Sequence, residues 1–463
     1  MAGQPATRLQ LSGRRFLARR MMHALVRRDV AMFDDPLRAQ SISLAAGAVV
    51  ATLVVVAGTV VGLVHGTGVP DSAPIVMGRD TGALYVRVGD TLHPVLNLAS
   101  ARLVARSAAT PAPAAEASIA GLRRGPLMGI PGAPASIGEP LRGAAWTVCD
   151  GDDRTVVAVG RSEVDHLDAT RPILVTPRGE GAAVTYLMYD GQRAAVDLRH
   201  LAVVRALRLD GVVPLPVSRT LLDLVPEVPA ITPPPIADHG APGPFSLPGA
   251  TVGSVVTVRR ADAVERYVVL RDGLQRVGEV AADLIGYAYD TGGRPPTVVA
   301  PVAVAALPIS DHLPTGSFPW QARTPVGAAD GYAVCARWRP GAEGRTSSNT
   351  VVVTGDSPYR GAAGLVQADG PGPHVDAVAI PGGASAYVRS ARIVGDDGAT
   401  GARFLVTDAG VVFGVHDDDA ATFLGLGGTA EAAPWPVLAH LPRGPELGVD
   451  AALVVRDGLP APS

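Results

Sequence analysis

The chain has 463 residues, enough for two to four domains and a large buried core. Aromatic residues make up only 4 %, while 54 glycines and 41 prolines favour short strands and turns over a helical bundle. All 40 basic residues are arginines. The absence of lysine excludes a lysine Schiff base and the lysine of a phosphate-binding P-loop.

Residues 1–41 form a basic segment before an acidic body. They contain eight arginines and three aspartates, a net charge of +5, whereas the remainder carries 32 arginines and 40 acidic residues, a net charge of −8. The acidic body speaks against nucleic acid as its partner.

Within this basic segment, residues 13–33 predict an amphipathic helix that ends at Asp34-Asp35-Pro36, because the residue before proline avoids helical geometry. Such a helix suits anionic lipid headgroups or an acidic protein surface. Its predicted basic face consists of Arg14, Arg15, Arg19, Arg20, Arg27 and Arg28.

An uncharged stretch of 23 residues runs from Ile42 to Val64. A helix of this length is about 35 Å long and can cross a hydrocarbon core of about 30 Å. A buried core helix normally shows a polar stripe, and a cleaved signal peptide has a shorter apolar stretch. The sequence therefore predicts a permanent anchor, with residues 1–41 in the cytoplasm and residues 66–463 outside the membrane.

Four later segments share one pattern. An aromatic residue stands in a short apolar strand, a turn with Gly and Asp follows, and a second strand leads into a short helix. This pattern predicts a hairpin followed by a helix in each copy. The copies are unevenly spaced, which excludes a regular solenoid. Their leading aromatic residues are Tyr85, Tyr186, Tyr267 and Phe404.

The two longer gaps between copies contain "AAWTVCDGDDRTVVAVG" and "GYAVCARWRPGAEGRTSSNTVVVTG". Each predicts two strands joined by a turn, and each holds one of the two cysteines, Cys149 and Cys335, near a tryptophan. We infer one central domain built from two chain halves, with repeat pairs on its flanks. On the oxidising side of a membrane a disulfide between the halves is favoured, with two unrelated thiols as the alternative.

The predicted fold class is α+β and β-rich: a single-pass anchor, then a two-segment central domain flanked by four hairpin-helix repeats. The predicted boundaries are 1–41 cytoplasmic segment, 42–64 membrane helix, 65–129 repeat 1, 130–178 first central half, 179–225 repeat 2, 226–249 proline-rich connector, 250–312 repeat 3, 313–400 second central half, 401–438 repeat 4 and 439–463 C-terminal tail.

Few motifs point to catalysis or to a metal. The stretch from Gly425 to Ala430 matches a dinucleotide-binding pattern, but a helix is predicted before it and Pro434 follows, so we interpret it as a helix C-terminal turn. The run from His416 to Asp419 could bind a hard cation, although carboxylates at a helix N-terminus are the simpler interpretation. No catalytic residue, metal site or cofactor is predicted.

The stretches "LQLSGRRFLARRMMHALVRRDVAMFDDPLRAQSISL", "LYVRVGDTLHPVLNLASARLV", "LMGIPGAP", "WTVCD" and "APWPVLAHLPRGPELGVDAALV" together resemble the EccB family. EccB is the B component of the actinobacterial type VII (ESX) secretion membrane complex. The resemblance covers nearly the whole chain in the same order.

This resemblance implies a structural subunit of the secretion complex in the inner membrane, with a periplasmic central domain, four repeats and a Cys149–Cys335 pair. It implies assembly with the EccC, EccD and EccE components and with other EccB copies. Family members are also often described as ATPases, so ATP hydrolysis by the periplasmic domain is the alternative function. No motif in this sequence would carry that activity.

Overall fold

A computed structural model describes residues 8–28, 36–64, 69–161, 171–179, 184–243, 247, 249–261, 263–289, 296–341, 348–355, 357–359, 361–394 and 401–457. The chain divides into two compact units. The first comprises Met1–Asp71 with Ala114–Gly121, and the second comprises Ser72–Pro113 with Leu122–Ser463.

The helices of the described residues are α1 Arg8–Arg27, α2 Pro36–Val64, α3 Leu98–Ala105, α4 Glu116–Ala120, α5 Leu201–Ala206, α6 Arg219–Leu224, α7 Glu279–Ala288, α8 Pro301–Ala305, α9 Asp418–Leu424, α10 Trp435–His440 and α11 Val449–Ala452.

The strands of the same residues are β1 Ile75–Gly78, β2 Leu84–Val88, β3 Thr91–Val95, β4 Ala112–Ala114, β5 Leu127–Met128, β6 Glu139–Pro140, β7 Ala145–Gly151, β8 Arg154–Gly160, β9 Ile173–Pro177, β10 Thr185–Tyr189, β11 Gln192–Val196, β12 Leu215–Val217, β13 Glu227–Val228, β14 Val255–Arg259, β15 Val264–Leu270, β16 Gly273–Val277, β17 Thr297–Val299, β18 Ala333–Arg339, β19 Ser348–Thr354, β20 Ala363–Gly364, β21 Ala377–Ala379, β22 Ala384–Ala391, β23 Arg403–Thr407, β24 Val412–Val415, β25 Glu431–Pro434 and β26 Val455–Arg456.

The first unit contains the predicted anchor. Helix α2 includes Ile42 and ends at Val64, and its Gln40–Thr59 portion is apolar and long enough to cross a membrane. The hydroxyls of Thr52 and Thr59 donate to the backbone carbonyls of Ala48 and Val55, at 2.8 and 3.0 Å. Both hydroxyls are therefore satisfied within the helix, as a hydrocarbon environment requires.

The four repeats share one strand order. Each has an antiparallel meander of three strands, then a helix, then a fourth strand beside the first strand of the meander, then a second helix. The shared orders are β3-β2-β1-β4, β11-β10-β9-β12, β16-β15-β14-β17 and β24-β23-β22-β25.

The predicted hairpin-helix units are confirmed, but the structural repeat is larger than predicted. Two predicted boundaries are wrong. Repeat 2 begins at β9, before residue 179, because β9 pairs with β10. Repeat 4 begins at β22, before residue 401, because β22 pairs with β23. These first strands lie outside the hairpin that the turn residues mark.

The predicted connector and tail also join the repeats. In the connector, Val228 pairs with Ala194 of repeat 2, and the side chain of Ile231 is fully buried. In the tail, β26 pairs with β5 and so extends the sheet of repeat 1. The connector and the tail are therefore parts of the folded repeats.

The central sheet has the order β19-β18-β7-β8-β21-β20. Strands β7 and β8 come from the first chain half, and the other four come from the second. The antiparallel pairing of β7 with β18 joins the halves, which confirms the two-segment central domain.

Helix contacts arrange the repeats in two pairs. Helix α3 of repeat 1 packs against α9 of repeat 4, and α5 of repeat 2 packs against α7 of repeat 3. The second helices of repeats 2 and 4, α6 and α10, contact each other and share the core of the central sheet. The order in space is therefore repeat 1, repeat 4, central domain, repeat 2, repeat 3.

Candidate functional site

The paired strands β7 and β18, which we call the central joint, hold the two chain halves together. Cys149 lies directly opposite Cys335, with Cα atoms 4.0 Å apart and the sulfurs bonded. Trp146 lies opposite Trp338 in the same register. All four side chains are buried, so the predicted disulfide and both tryptophans meet at one place.

The two faces of the joint have different neighbours. The tryptophans belong to a core that includes Leu222 of α6 and Leu438 of α10. The cysteines lie on the other face, in a smaller cluster with Tyr359. Because side chains alternate along a strand, the disulfide does not disturb the packing of repeats 2 and 4 on the tryptophan face.

A buried polar network connects the joint to repeat 2. Asp150 of β7 accepts a hydrogen bond from the Thr155 hydroxyl at 2.7 Å and another from the backbone N–H of Ser218, the N-cap of α6. The guanidinium of Arg178, next to β9, lies 4.0 Å from the Asp150 carboxylate. Burial raises the pKa of Asp150, and Arg178 opposes that rise.

The same network reaches the second chain half. The Asp376 carboxylate accepts hydrogen bonds from the backbone N–H groups of Thr155, Asp369 and Gly370, at 2.7 to 2.9 Å. Arg178 also donates to the Gly370 carbonyl at 3.3 Å. These contacts fasten both chain halves and repeat 2 together.

The leading aromatic residues form cation–π pairs in three repeats. In repeats 1 and 4 the arginine comes from the segment after the second helix, so the pair fastens that segment to the hairpin. The distances from guanidinium to ring centre are 5.5 Å for Arg124–Tyr85, 5.0 Å for Arg193–Tyr186 and 5.2 Å for Arg443–Phe404.

The predicted basic face lies on α1, which begins before residue 13 and ends at Arg27. Arg28 follows it, and residues 29–35, including Asp34-Asp35, lie outside the described residues. Arg14, Arg15, Arg19 and Arg20 are exposed. At about 100° per residue they spread over more than half of the helix circumference. The helix is basic on several sides, rather than on one face.

The two weak motifs have structural roles. Gly425 ends α9 in the left-handed conformation, and its N–H donates to the carbonyls of the last turn. The stretch is therefore the helix C-terminal turn that the sequence predicts. The Asp417 carboxylate caps the same helix by accepting from the Ala420 N–H at 2.7 Å. Among the described residues, no group of three or more His, Cys, Asp or Glu could hold a metal ion.

Comparison with known proteins shows the family. Residues 3–461 match the family model described as "Type VII secretion system ESX-1, transport TM domain B", EccB. The chain belongs to the EccB family of type VII secretion proteins. This confirms the resemblance drawn from the sequence.

Two curated relatives cover almost the whole chain. It is 35 % identical to "ESX-3 secretion system ATPase EccB3" of Mycolicibacterium smegmatis, over 98 % of this chain and 91 % of that protein. It is 34 % identical to "ESX-2 secretion system ATPase EccB2" of Mycobacterium tuberculosis, over 98 % of this chain and 96 % of that protein.

Solved structures have the same fold. A chain of "an intact ESX-5 inner membrane complex" matches with a TM-score of 0.73 and 30 % identity, over 100 % of this chain and 98 % of that chain. A chain of the "EccB3 dimer from the ESX-3 core complex" matches with a TM-score of 0.71 and 33 % identity, over 82 % of this chain and 100 % of that chain.

Proposed function

We propose that this chain is a structural subunit of a type VII (ESX) secretion complex in the inner membrane, where it organises the periplasmic part. The observation that carries the proposal is the end-to-end match to the EccB family and to an EccB chain of an intact complex. A body of paired repeats clamped at one joint, attached to one candidate membrane helix, suits a rigid scaffold. This function requires no cofactor.

The topology follows from charge. The +5 segment before the apolar helix favours a cytoplasmic N-terminus and a periplasmic C-terminal body. Alkaline phosphatase fused after Ser463 should be active, and the same enzyme fused after Gln40 should be inactive. The reverse result would overturn the topology, and with it the periplasmic role.

We also assign partners. The chain should co-purify from membranes with the EccC, EccD and EccE components of the same complex and with further copies of itself. Affinity purification of the full chain in mild detergent tests this, with a tagged unrelated single-pass protein as control. Recovery of the chain without any of these components would contradict the proposed assembly.

The arginines of α1 should contact anionic lipid headgroups. Hydrogen exchange of the full chain in nanodiscs should show slower exchange in α1 with phosphatidylglycerol than with phosphatidylcholine. Changing Arg14, Arg15, Arg19 and Arg20 to Gln should remove the difference. Equal exchange in both lipids for the unmodified chain would contradict the lipid contact.

A further inference from the structure

Repeat 3 carries an exposed apolar segment at residues 296–309. None of its fourteen residues is charged, and Thr297 is the one polar side chain. Ten of the fourteen are exposed. Val302 of α8 is 75 % exposed and Ile309 is 65 % exposed. An uncharged surface segment of this length is typical of an interaction site.

The equivalent helix of repeat 2 shows what such a face does within this chain. Thr220 is the second residue of α6, as Val302 is the second residue of α8, yet Thr220 is fully buried. Leu221 and Leu222 beside it are also fully buried. They are covered because α6 packs on the central sheet and against α10 of repeat 4.

The repeat 3 end of the array therefore differs from its centre. Repeats 2 and 4 bury their second helices against the central domain and against each other. Repeat 3 lies beyond repeat 2, and the described residues place no helix over α8 that corresponds to α10. The helix that docks in repeat 2 remains apolar and uncovered in repeat 3.

We propose that the α8 segment, residues 296–309, docks onto the same segment of a second copy of this chain. The α6–α10 contact already pairs the second helices of two repeats, so pairing α8 with α8 repeats a contact that the fold uses. A two-fold axis would place Val302 near Val302 of the other copy. The absence of charge in the segment disfavours an acidic or basic partner.

The proposal rests on the proposed function, because a scaffold subunit must contact its neighbours. One relative has been solved as an "EccB3 dimer", so copies of that protein do pair. What is new here is the surface: the second helix of repeat 3 and the strand β17 before it. Membrane lipid and a different subunit are the competing occupants.

Cysteine cross-linking of the full chain tests the surface. Val302→Cys chains in native membranes should form a covalent dimer with a short bismaleimide. Val264→Cys is the matched control, since Val264 lies in the same repeat and is 53 % exposed but lies outside the segment. It should give at least fivefold less dimer. Cys149 and Cys335 do not interfere, because they are buried and bonded to each other.

A charge pair identifies the occupant. Val302→Asp and Val302→Arg copies should each lose most of their cross-linked dimer when expressed alone, with the reporter cysteine at Ala306. Co-expression of the two variants should restore it, because opposite charges then meet across the two-fold axis. An intact unreduced Cys149–Cys335 peptide shows that the variants are folded.

Several outcomes would overturn the proposal: equal dimer yields at positions 302 and 264, no rescue by co-expression, or cross-links from position 302 to a different subunit or to lipid. If one of these outcomes occurs and the Val302→Asp chain still co-purifies with the secretion components, the proposed function stands and only this surface is wrong. If the unmodified chain fails to co-purify with them, the proposed function itself fails.

Discussion

The central domain and the repeats differ in how far apart in the sequence their paired strands lie. In a repeat, the main strand pairs are close in sequence, as in the β10–β11 hairpin, where Asp190 and Gly191 have the positive φ angles of a tight turn. In the central domain, the key pair joins β7 to β18, and the bonded cysteines are 186 residues apart.

This difference explains which stabilising interactions each region uses. Closing a long loop costs chain entropy before any strand contact forms, whereas a two-residue turn costs little. The central joint therefore concentrates a disulfide, a tryptophan pair and a buried polar network, while the repeats rely on local turns and helix caps. Each stability prediction below weakens one side of this contrast.

The largest effect should come from the disulfide. Changing both Cys149 and Cys335 to Ala should lower the free energy of unfolding by about 5 kcal/mol, because the unfolded chain regains the entropy of a loop of this length. Urea unfolding of the full chain in detergent, followed by tryptophan fluorescence, measures the loss. Trp146 and Trp338 lie at the joint and report on it.

Reduction of the unmodified chain should give the same loss, and reductant should leave the double variant unchanged. A double variant as stable as the oxidised chain would show that packing alone holds the halves together. The joint and the repeats would then not differ in the way argued here.

The second effect is a pH dependence at Asp150. Burial raises its pKa above the ordinary value of 3.8. The folded state therefore holds this proton more tightly than the unfolded state. The stabilisation that the bound proton gives is fully present below about pH 3.8, and it is lost as pH rises through the folded-state pKa. The unfolding free energy of the unmodified chain, minus that of Asp150→Asn, should fall over this range.

Asp152 provides the matched control for this measurement. It is an exposed aspartate in the turn that follows β7, so Asp152→Asn should keep the pH profile of the unmodified chain. A flat difference curve for Asp150→Asn would mean that water or a neighbouring group keeps this carboxylate as acidic in the folded state as in the unfolded one.

The sequence was sufficient to predict the local features of the repeats. Asp-Gly turns between apolar strands predicted the hairpins, and the run from His416 to Asp419 predicted carboxylates at a helix N-terminus, where Asp417 is the N-cap of α9. It also paired the chain halves correctly, because Cys149 and Cys335 each stand near a tryptophan. Signals of this kind act over a few residues, or mark a partner by residue type.

The remaining features depend on tertiary contacts. Strands β9 and β22 were assigned to the central halves, because nothing in their residues shows that they pair with β10 and β23. The Asp150 network was missed for the same reason. Its members Arg178, Ser218 and Asp376 are 28 to 226 residues from Asp150 in the sequence and meet only in the fold.

A smaller effect is expected at a repeat cap. Asp417→Ala should lower the unfolding free energy by about 1 kcal/mol, because the Ala420 N–H loses its acceptor. Asp419→Ala is the control, since Asp419 lies in the first turn of α9 without that capping bond and should cost less. If added calcium stabilises the unmodified chain and either variant removes that effect, the cation site that the sequence left open would be supported.

The last prediction expects no effect in either region: the full chain should not turn over ATP, although relatives carry "ATPase" in their names. Phosphoryl transfer needs cations and donors positioned around the γ-phosphate, usually a metal and a P-loop lysine or an equivalent. The chain has no lysine, and the one glycine-rich stretch that matches a nucleotide motif ends α9 instead of starting a helix.

Highly purified chain in detergent should be assayed with magnesium and ATP. Turnover that follows the protein through purification, saturates with ATP and disappears in a folded Arg-to-Ala or Asp-to-Ala variant would establish the enzymatic function instead. Arg178 and Asp150 should be tested first, because they form a buried ion pair between repeat 2 and the central joint.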